Sequence, residues 1–130
     1  MIRVIYIYVL SLLLFSPEFL AQNRIIFNHL NINDGLSQSS VTCILQDTSG
    51  FMWFGTQDGL NRFDGYNFKI FKNIPSDSTS LTENFIFSIY EDQLGILYIE
   101  TQSGTFHKYN SRLESFQIVN KDSINLNGAK

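Results

Sequence analysis

The chain has 130 residues, of which 44% are hydrophobic and 16% are charged, and this balance excludes intrinsic disorder as its overall state. The formal net charge is -3 and the lysines and arginines stand singly, so no basic stripe is present to neutralise a nucleic-acid backbone. Aromatic residues make up 15% of the chain, and aromatic side chains favour β-strands. The composition predicts a packed, β-rich protein, and it excludes nucleic acid as a partner of this segment.

The first 21 residues have the layout of a signal peptide. Arg3 is the only charged residue before an apolar run from residue 4 to residue 15, and Pro17 breaks the chain soon after that run. The run has about a dozen residues, whereas a membrane-spanning helix needs about 20. We predict a signal peptide at residues 1–21, with cleavage after Ala21, and a periplasmic location for the remainder. An uncleaved membrane anchor is the alternative.

Cys43 is the only cysteine, so the chain cannot form an internal disulfide. It stands in the apolar run from Val41 to Leu45, where a cysteine behaves as a small hydrophobic residue. The sequence therefore favours a buried structural thiol over a nucleophile.

The sequence repeats itself with a period of 45 residues, since residues 41–57 match residues 86–102 at a constant offset. Leu36, Leu81 and Leu126 stand at the same interval, so a third repeat begins at the last of them. A period of this length is typical of propeller blades and of helical solenoids. The positions that we expect to be structural are Asp47, Gly50, Trp53, Gly55, Thr56 and Gly59 in the first repeat, and Asp92, Gly95, Tyr98, Thr101 and Gly104 in the second.

Short apolar runs separated by turns favour strands over helices within each repeat. An Asp carboxylate accepts amide hydrogen bonds in a turn, and Gly adopts positive φ without steric cost, so Asp-Gly pairs between such runs predict hairpins. We therefore predict an all-β fold of four-stranded antiparallel blades that belong to a β-propeller. In the first repeat the predicted strands are 41–45, 51–56, 60–63 and 67–71, joined by turns at 47–50, 58–59 and 64–65.

The period also divides the chain into segments. A propeller typically needs about four to eight blades, and two blades leave exposed strand edges that favour aggregation. We therefore expect the chain to be an incomplete piece of a larger protein and to be marginally stable alone. The predicted segments are a leading strand and loop at 22–35, the first propeller repeat at 36–80, the second at 81–125 and the start of a third at 126–130.

These motifs together resemble the two-component regulator propeller repeat, which is found in the exported sensor region of hybrid two-component systems of Bacteroidetes-type bacteria. The resemblance covers residues 25–130, and Phe27 and Leu30 resemble the strand that leads into the first blade of this family. The motifs that carry it are Asp34-Gly35-Leu36-Ser37, Gln46-Asp47, the segment Gly50 to Thr56 (GFMWFGT) and the segment Asp58 to Gly65 (DGLNRFDG).

The resemblance implies a function for the longer protein. Its relatives are similar to periplasmic carbohydrate sensors, in which many such repeats precede a β-sandwich, an inner-membrane helix, a histidine kinase, a receiver and a DNA-binding region. It thus implies that this chain is the N-terminal part of a ligand-sensing propeller and is not itself an enzyme. The implied partners are further blades, downstream sensor domains and an oligosaccharide ligand.

The second repeat departs from the family pattern. Tyr98 replaces the tryptophan, Glu100 replaces the glycine, and residues 105–109 replace the Leu-Asn-Arg-Phe run with one extra residue. We therefore expect that a role of Asn61 or Arg62 in the first repeat does not carry over to the second.

Several residues permit both a chemical and a structural interpretation. Trp53 offers a flat surface on which a sugar could stack, but an aromatic residue that recurs at one repeat position favours a place in the core between blades. Asn61 and Arg62 follow a hairpin turn and either face a ligand or brace the blade. Asp47 and Asp92 could be a pair of carboxylates for acid–base chemistry, but they are better explained as the turn residue that each blade needs.

The sequence predicts no catalytic residue, metal ligand or cofactor. His29 and His107 lack neighbours at metal-ligand spacing, and the chain contains neither a glycine-rich phosphate loop nor a nucleophile elbow. The ligand-binding residues stay unassigned.

Two other classes of propeller remain as alternatives. The first is a fragment of a secreted enzyme, a lyase, a sialidase-like protein or a quinoprotein. Sialidase-type boxes place Gly two residues after Asp, whereas Asp47 and Gly50 are three apart. The second is a WD-type interaction propeller, although no Trp-Asp dipeptide closes either repeat.

Overall fold

The computed structural model describes residues 29–125, 128 and 129. The predicted signal peptide, Phe27 and the predicted third-repeat residue Leu126 lie outside this part of the chain. Within it, no helix is long and apolar enough to cross a membrane.

In the described residues, eight strands form two separate four-stranded antiparallel sheets, each a simple meander. This arrangement confirms the predicted all-β fold of propeller blades, with strand ends within one residue of the predicted ones in the first repeat. Blade 1 contains β1 (Val41–Gln46), β2 (Met52–Thr56), β3 (Gly59–Phe63) and β4 (Phe68–Phe71), and blade 2 contains β5 (Ile86–Glu91), β6 (Leu97–Thr101), β7 (Phe106–Asn110) and β8 (Ser115–Val119).

The β1–β2 and β5–β6 turns are built in the same way. Asp47 Oδ1 accepts the backbone N–H of Phe51 at 2.9 Å, and Asp92 Oδ1 accepts that of Ile96 at the same distance. The glycine of each turn has a positive φ, which glycine adopts without a Cβ clash. Each hairpin is therefore closed by one Asp and one Gly, and the second pair follows the first by 45 residues.

The core lies between the blades and is mainly aromatic. Trp53 of blade 1 stacks on Phe71 and meets Tyr109 of blade 2 edge-on, with ring centroids 5.9 and 5.0 Å apart. Phe71 in turn meets Phe116 of blade 2 edge-on at 5.4 Å. Edge-on and offset ring contacts of this type add stability beyond the apolar area that they bury. The two blades therefore share one hydrophobic core.

A second contact between the blades depends on the absence of a side chain at Gly55. A Cβ at this position would lie 2.4 Å from Cys43 Sγ and 2.8 Å from Cγ2 of Ile86, which is fully buried. A β-bulge after Val41 and another after Ile86 interrupt the register of the first strand at equivalent points of the two blades. Ile86 thus packs closely onto blade 1.

The segment ahead of blade 1 differs from the prediction at Leu30, which lies in no strand and is exposed. The chain instead forms a short 3-10 turn at Ile32–Asp34, in which the Asn31 and Asp34 side chains cap each other's backbone N–H groups. These local hydrogen bonds stabilise a turn within the predicted loop that leads into blade 1.

Candidate functional site: the polar anchors and the cleft between the blades

The segment that enters blade 1 is anchored by a buried polar residue. Asn61 on β3 is fully buried; its Oδ1 accepts the backbone N–H of Ser37 and its Nδ2 donates to Ser37 Oγ, both at 2.8 Å. Ser37 Oγ also lies 2.9 Å from the hydroxyl of Thr56. Asn61 is therefore a bracing residue that fixes the entry segment to the blade.

Blade 2 has the same anchor made from different residues. Asn61 pairs with Phe54 across the sheet, and His107 pairs with Ile99, which stands 45 residues after Phe54. His107 Nε2 lies 3.3 Å from the backbone N of Thr82 and 3.2 Å from its hydroxyl, and Thr82 is the counterpart of Ser37. The expectation that the role of Asn61 does not carry over is thus wrong, because the extra residue in this repeat shifts the role to His107.

His107 accepts the Thr82 N–H only through a neutral ring nitrogen. The imidazole is fully buried, and this burial lowers its pKa from the ordinary value. The proximity of the Ile99 backbone and the charge of Glu83 act in the opposite direction and are weaker. The anchor of blade 2 is therefore built for an uncharged histidine.

Trp53 has almost no surface left for a ligand. Its side chain is 1% exposed, and its Nε1 donates to Asp47 Oδ2 at 2.7 Å. In blade 2 the hydroxyl of Tyr98 points at Asp92 Oδ2 at 3.4 Å, so the aromatic residue approaches the turn Asp in both repeats. Each Asp thus serves both its turn and the aromatic residue of β2 or β6.

The other predicted repeat positions lie at the opposite ends of the hairpins. Thr56 Oγ1 donates to the carbonyl of Gly59 at 2.9 Å, and Thr101 Oγ1 contacts the carbonyl of Thr105 at 3.4 Å. Both threonines are buried, and Gly59 and Gly104 have positive φ in the adjoining turns. These positions close the β2–β3 and β6–β7 hairpins.

A cleft of about 860 Å³ opens between the blades at the edge that carries the β1–β2 and β7–β8 turns. Among its apolar lining residues, Trp53, Phe116 and Leu97 are buried, whereas Leu113 and Ile118 are exposed. Hydroxyl and amide groups come from Ser49, Ser78, Thr79, Asn110, Ser111 and Ser115. Asp47, Arg62 and Lys108 add charged groups.

Arg62 spans this cleft and joins the two blades. Its Nη1 lies 3.1 Å from the hydroxyl of Tyr109 and its Nη2 lies 3.0 Å from Oε1 of Glu114, both in blade 2 or its hairpin. The guanidinium carbon is 4.7 Å from the ring centroid of Phe51, within the range of a cation–π contact. Arg62 therefore braces the blades and lines the cleft.

Lys69 also binds Glu114, so two cations of blade 1 hold one carboxylate of blade 2. The hydrogen bonds from Lys69, followed by those from Arg62, lower the pKa of Glu114 from its ordinary value. We call these three residues the Arg62–Lys69–Glu114 strap. Sequence reasoning missed Lys69 and Glu114 because they belong to no repeat motif, although Arg62 was already a candidate.

The described residues hold no group of three or more His, Cys, Asp or Glu side chains that could bind a metal ion. His29 lies at the exposed start of the described chain, far in sequence from the buried His107. Burial raises the pKa of the Cys43 thiol, which favours the protonated and less nucleophilic form.

Comparison with known proteins gives a consistent result. Residues 35–58 match the two component regulator propeller family. The chain is 51% identical over 78 residues to histidine kinase P4 of Formosa agariphila. The aligned segment covers 57% of this chain and 6% of that protein. The chain thus spans a small fraction of the length of this relative.

Solved structures share the blade arrangement. The extracellular domain of the hybrid two component system BT3049 from B. thetaiotaomicron is 37% identical, with a TM-score of 0.64 over 74% of this chain and 14% of that domain. The extracellular domain of the hybrid two component system BT4673 is 25% identical, with a TM-score of 0.57 over 72% of this chain and 13% of that domain. Residues 35–58 thus match the two component regulator propeller family, and the chain folds as two successive blades like those of these extracellular domains.

Proposed function

We propose that this chain forms part of the periplasmic, ligand-sensing propeller of a hybrid two-component regulator. The observation that carries the proposal is the match of both blades to the extracellular domain of such a system, together with the family motif at residues 35–58. Kinase and receiver activities would then belong to other domains of the longer protein. The chain itself would contribute a binding and transmitting surface.

We also propose that the ligand is an oligosaccharide. The cleft between the blades supports this, because its lining combines apolar side chains with hydroxyl and amide groups, and sugars present both apolar C–H faces and hydroxyl groups. Its volume of about 860 Å³ lies within the range of small-molecule sites. Arg62 crosses the cleft, so a ligand that enters it would act on the contact between the blades.

The coding sequence downstream of Lys130 tests the proposed function directly. The proposal expects further repeats at 45-residue intervals, then a membrane-spanning segment and a histidine kinase. A hydrolase or lyase domain at that place would instead support a propeller enzyme and would contradict the sensor.

A further inference from the structure

Two positive side chains stand opposite each other in blade 1. Arg62 on β3 pairs with Lys69 on β4, so both side chains lie on the same face of the sheet. Like charges directly opposite each other across two strands destabilise the pair. This arrangement therefore favours an anion between the two cations.

The anion in this structure is the carboxylate of Glu114, in the β7–β8 turn of blade 2, and its backbone conformation is unfavourable. Glu114 has a φ of +51°, and it is the only residue other than glycine with positive φ in the described part of the chain. L residues pay for this left-handed conformation, which a glycine or asparagine would adopt more easily. The carboxylate of Glu114 is thus held between Arg62 and Lys69 in a strained turn.

The carboxylate lies at the surface beside the cleft, since Arg62 and the sequence neighbours Leu113 and Ser115 line the cleft while Glu114 and Lys69 do not. The side chains of Glu114 and Lys69 are 36% and 47% exposed, whereas that of Arg62 is 19% exposed. Arg62 also contacts the ring of Phe51 and the hydroxyl of Tyr109, so two contacts other than Glu114 hold its guanidinium. A guanidinium held in this way is preorganised to bind another carboxylate.

We propose that Arg62 and Lys69 form a carboxylate-binding site beside the cleft, and that Glu114 occupies this site in the ligand-free chain. The ligand class is a sugar that carries a carboxylate, such as a uronic acid within an oligosaccharide. Its carboxylate displaces Glu114, and its hydroxyl groups meet the hydroxyl-rich lining of the cleft. The biological role of this site rests on the proposed sensory function, whereas the binding of a carboxylate does not.

Displacement of Glu114 gives the site a consequence for the whole molecule. The ion pairs with Glu114 join β3 and β4 of blade 1 to the β7–β8 turn of blade 2. A bound carboxylate breaks this connection and releases the strained turn. Binding and the loss of the connection between blades are therefore linked in both directions.

Binding of glucuronate to the purified chain tests the site, with glucose as the neutral probe and chloride used to keep ionic strength constant. Trp53 is the only tryptophan, and the guanidinium carbon of Arg62 lies 5.9 Å from its ring, so its fluorescence reports occupancy. The variant Glu114→Gln removes the competing negative charge without changing the size of the side chain. Arg112→Gln is the matched control, because it removes a cation from the same turn.

We expect Glu114→Gln to bind glucuronate at least about fivefold more tightly than the unchanged chain, and Arg112→Gln to bind it equally well. Lys69→Gln and Arg62→Gln, each combined with Glu114→Gln, should lose the response, and glucose should give none. Equal affinity with and without Glu114, or an equal response to sulfate, would overturn the carboxylate site. Far-UV circular dichroism of each variant separates loss of binding from loss of folding, and a folded Lys69→Gln, Glu114→Gln chain that still binds also refutes it.

The two proposals can fail separately. If the chain binds glucuronate through Arg62 and Lys69 but its gene encodes no kinase, the carboxylate site is supported and the sensory function is contradicted. If the gene encodes the sensor but the chain gives no response to a carboxylate, only the carboxylate site is contradicted.

Discussion

At the scale of single residues, the repeated positions each make several contacts at once. Asp47 closes a turn and accepts the indole N–H of Trp53, while Trp53 fills the space between the blades. Asn61 and His107 hold the entry segments through equivalent hydrogen bonds despite their different chemistry. Positions of this kind are sensitive to substitution because one side chain supports both the blade and its neighbour.

Replacing Trp53 with Ala should destabilise the chain by about 3 to 5 kcal/mol, the usual effect of truncating a buried large aromatic residue. Trp53→Tyr should cost less, because Tyr98 shows that a tyrosine hydroxyl can approach the turn Asp. Urea unfolding monitored by circular dichroism measures both. An alanine variant as stable as the unchanged chain would show that the residue is outside the core.

His107 should make stability depend on pH. Burial lowers its pKa in the folded chain, so the unfolded chain binds the proton more readily and stability falls as pH drops through the ordinary histidine pKa of about 6.5. Urea midpoints between about pH 7.5 and pH 5.5 measure this effect.

His107→Asn is the matched variant, since Asn61 does the same work in blade 1 without titrating. It should fold and should lose this part of the pH dependence. An unchanged pH profile in His107→Asn would assign the effect to other titratable groups of the chain.

At the scale of elements, the strands and turns were largely predictable from the sequence, because Asp-Gly turns and short apolar runs are local signals. Two features were not. The equivalence of His107 and Asn61 depends on strand register, which a single inserted residue shifts. The strap with Glu114 depends on how two hairpins more than 40 residues apart meet, and no local pattern encodes that contact.

Gly55 tests the contact between the two blades. Gly55→Ala places a Cβ against Cys43 and Ile86, so we expect a loss of about 1 to 3 kcal/mol, as overpacking of a core usually causes. The midpoint of urea unfolding measures it. Adding Cys43→Ala should recover part of the loss by removing the nearer obstacle. A neutral effect of Gly55→Ala would contradict the close approach of β1, β2 and β5.

At the scale of the whole molecule, the shared core and the strap make the blade pair a unit through which a ligand can act. Ile44 and Ile70 are about half exposed on the face of blade 1 that points away from blade 2, and we expect further blades to cover such surfaces. The domain boundaries and the signal peptide remain predictions. The sensory role needs the longer protein.

Autophosphorylation of the full-length protein in membrane vesicles tests the central claim most directly. Candidate oligosaccharides, neutral and uronate-containing, are added on the side of the propeller, and phosphate incorporation is measured with and without Glu114→Gln. We predict that an oligosaccharide changes the phosphorylation level and that Glu114→Gln shifts the concentration at which it does so. A phosphorylation level indifferent to every oligosaccharide, or turnover of the sugar by the protein, would contradict the account.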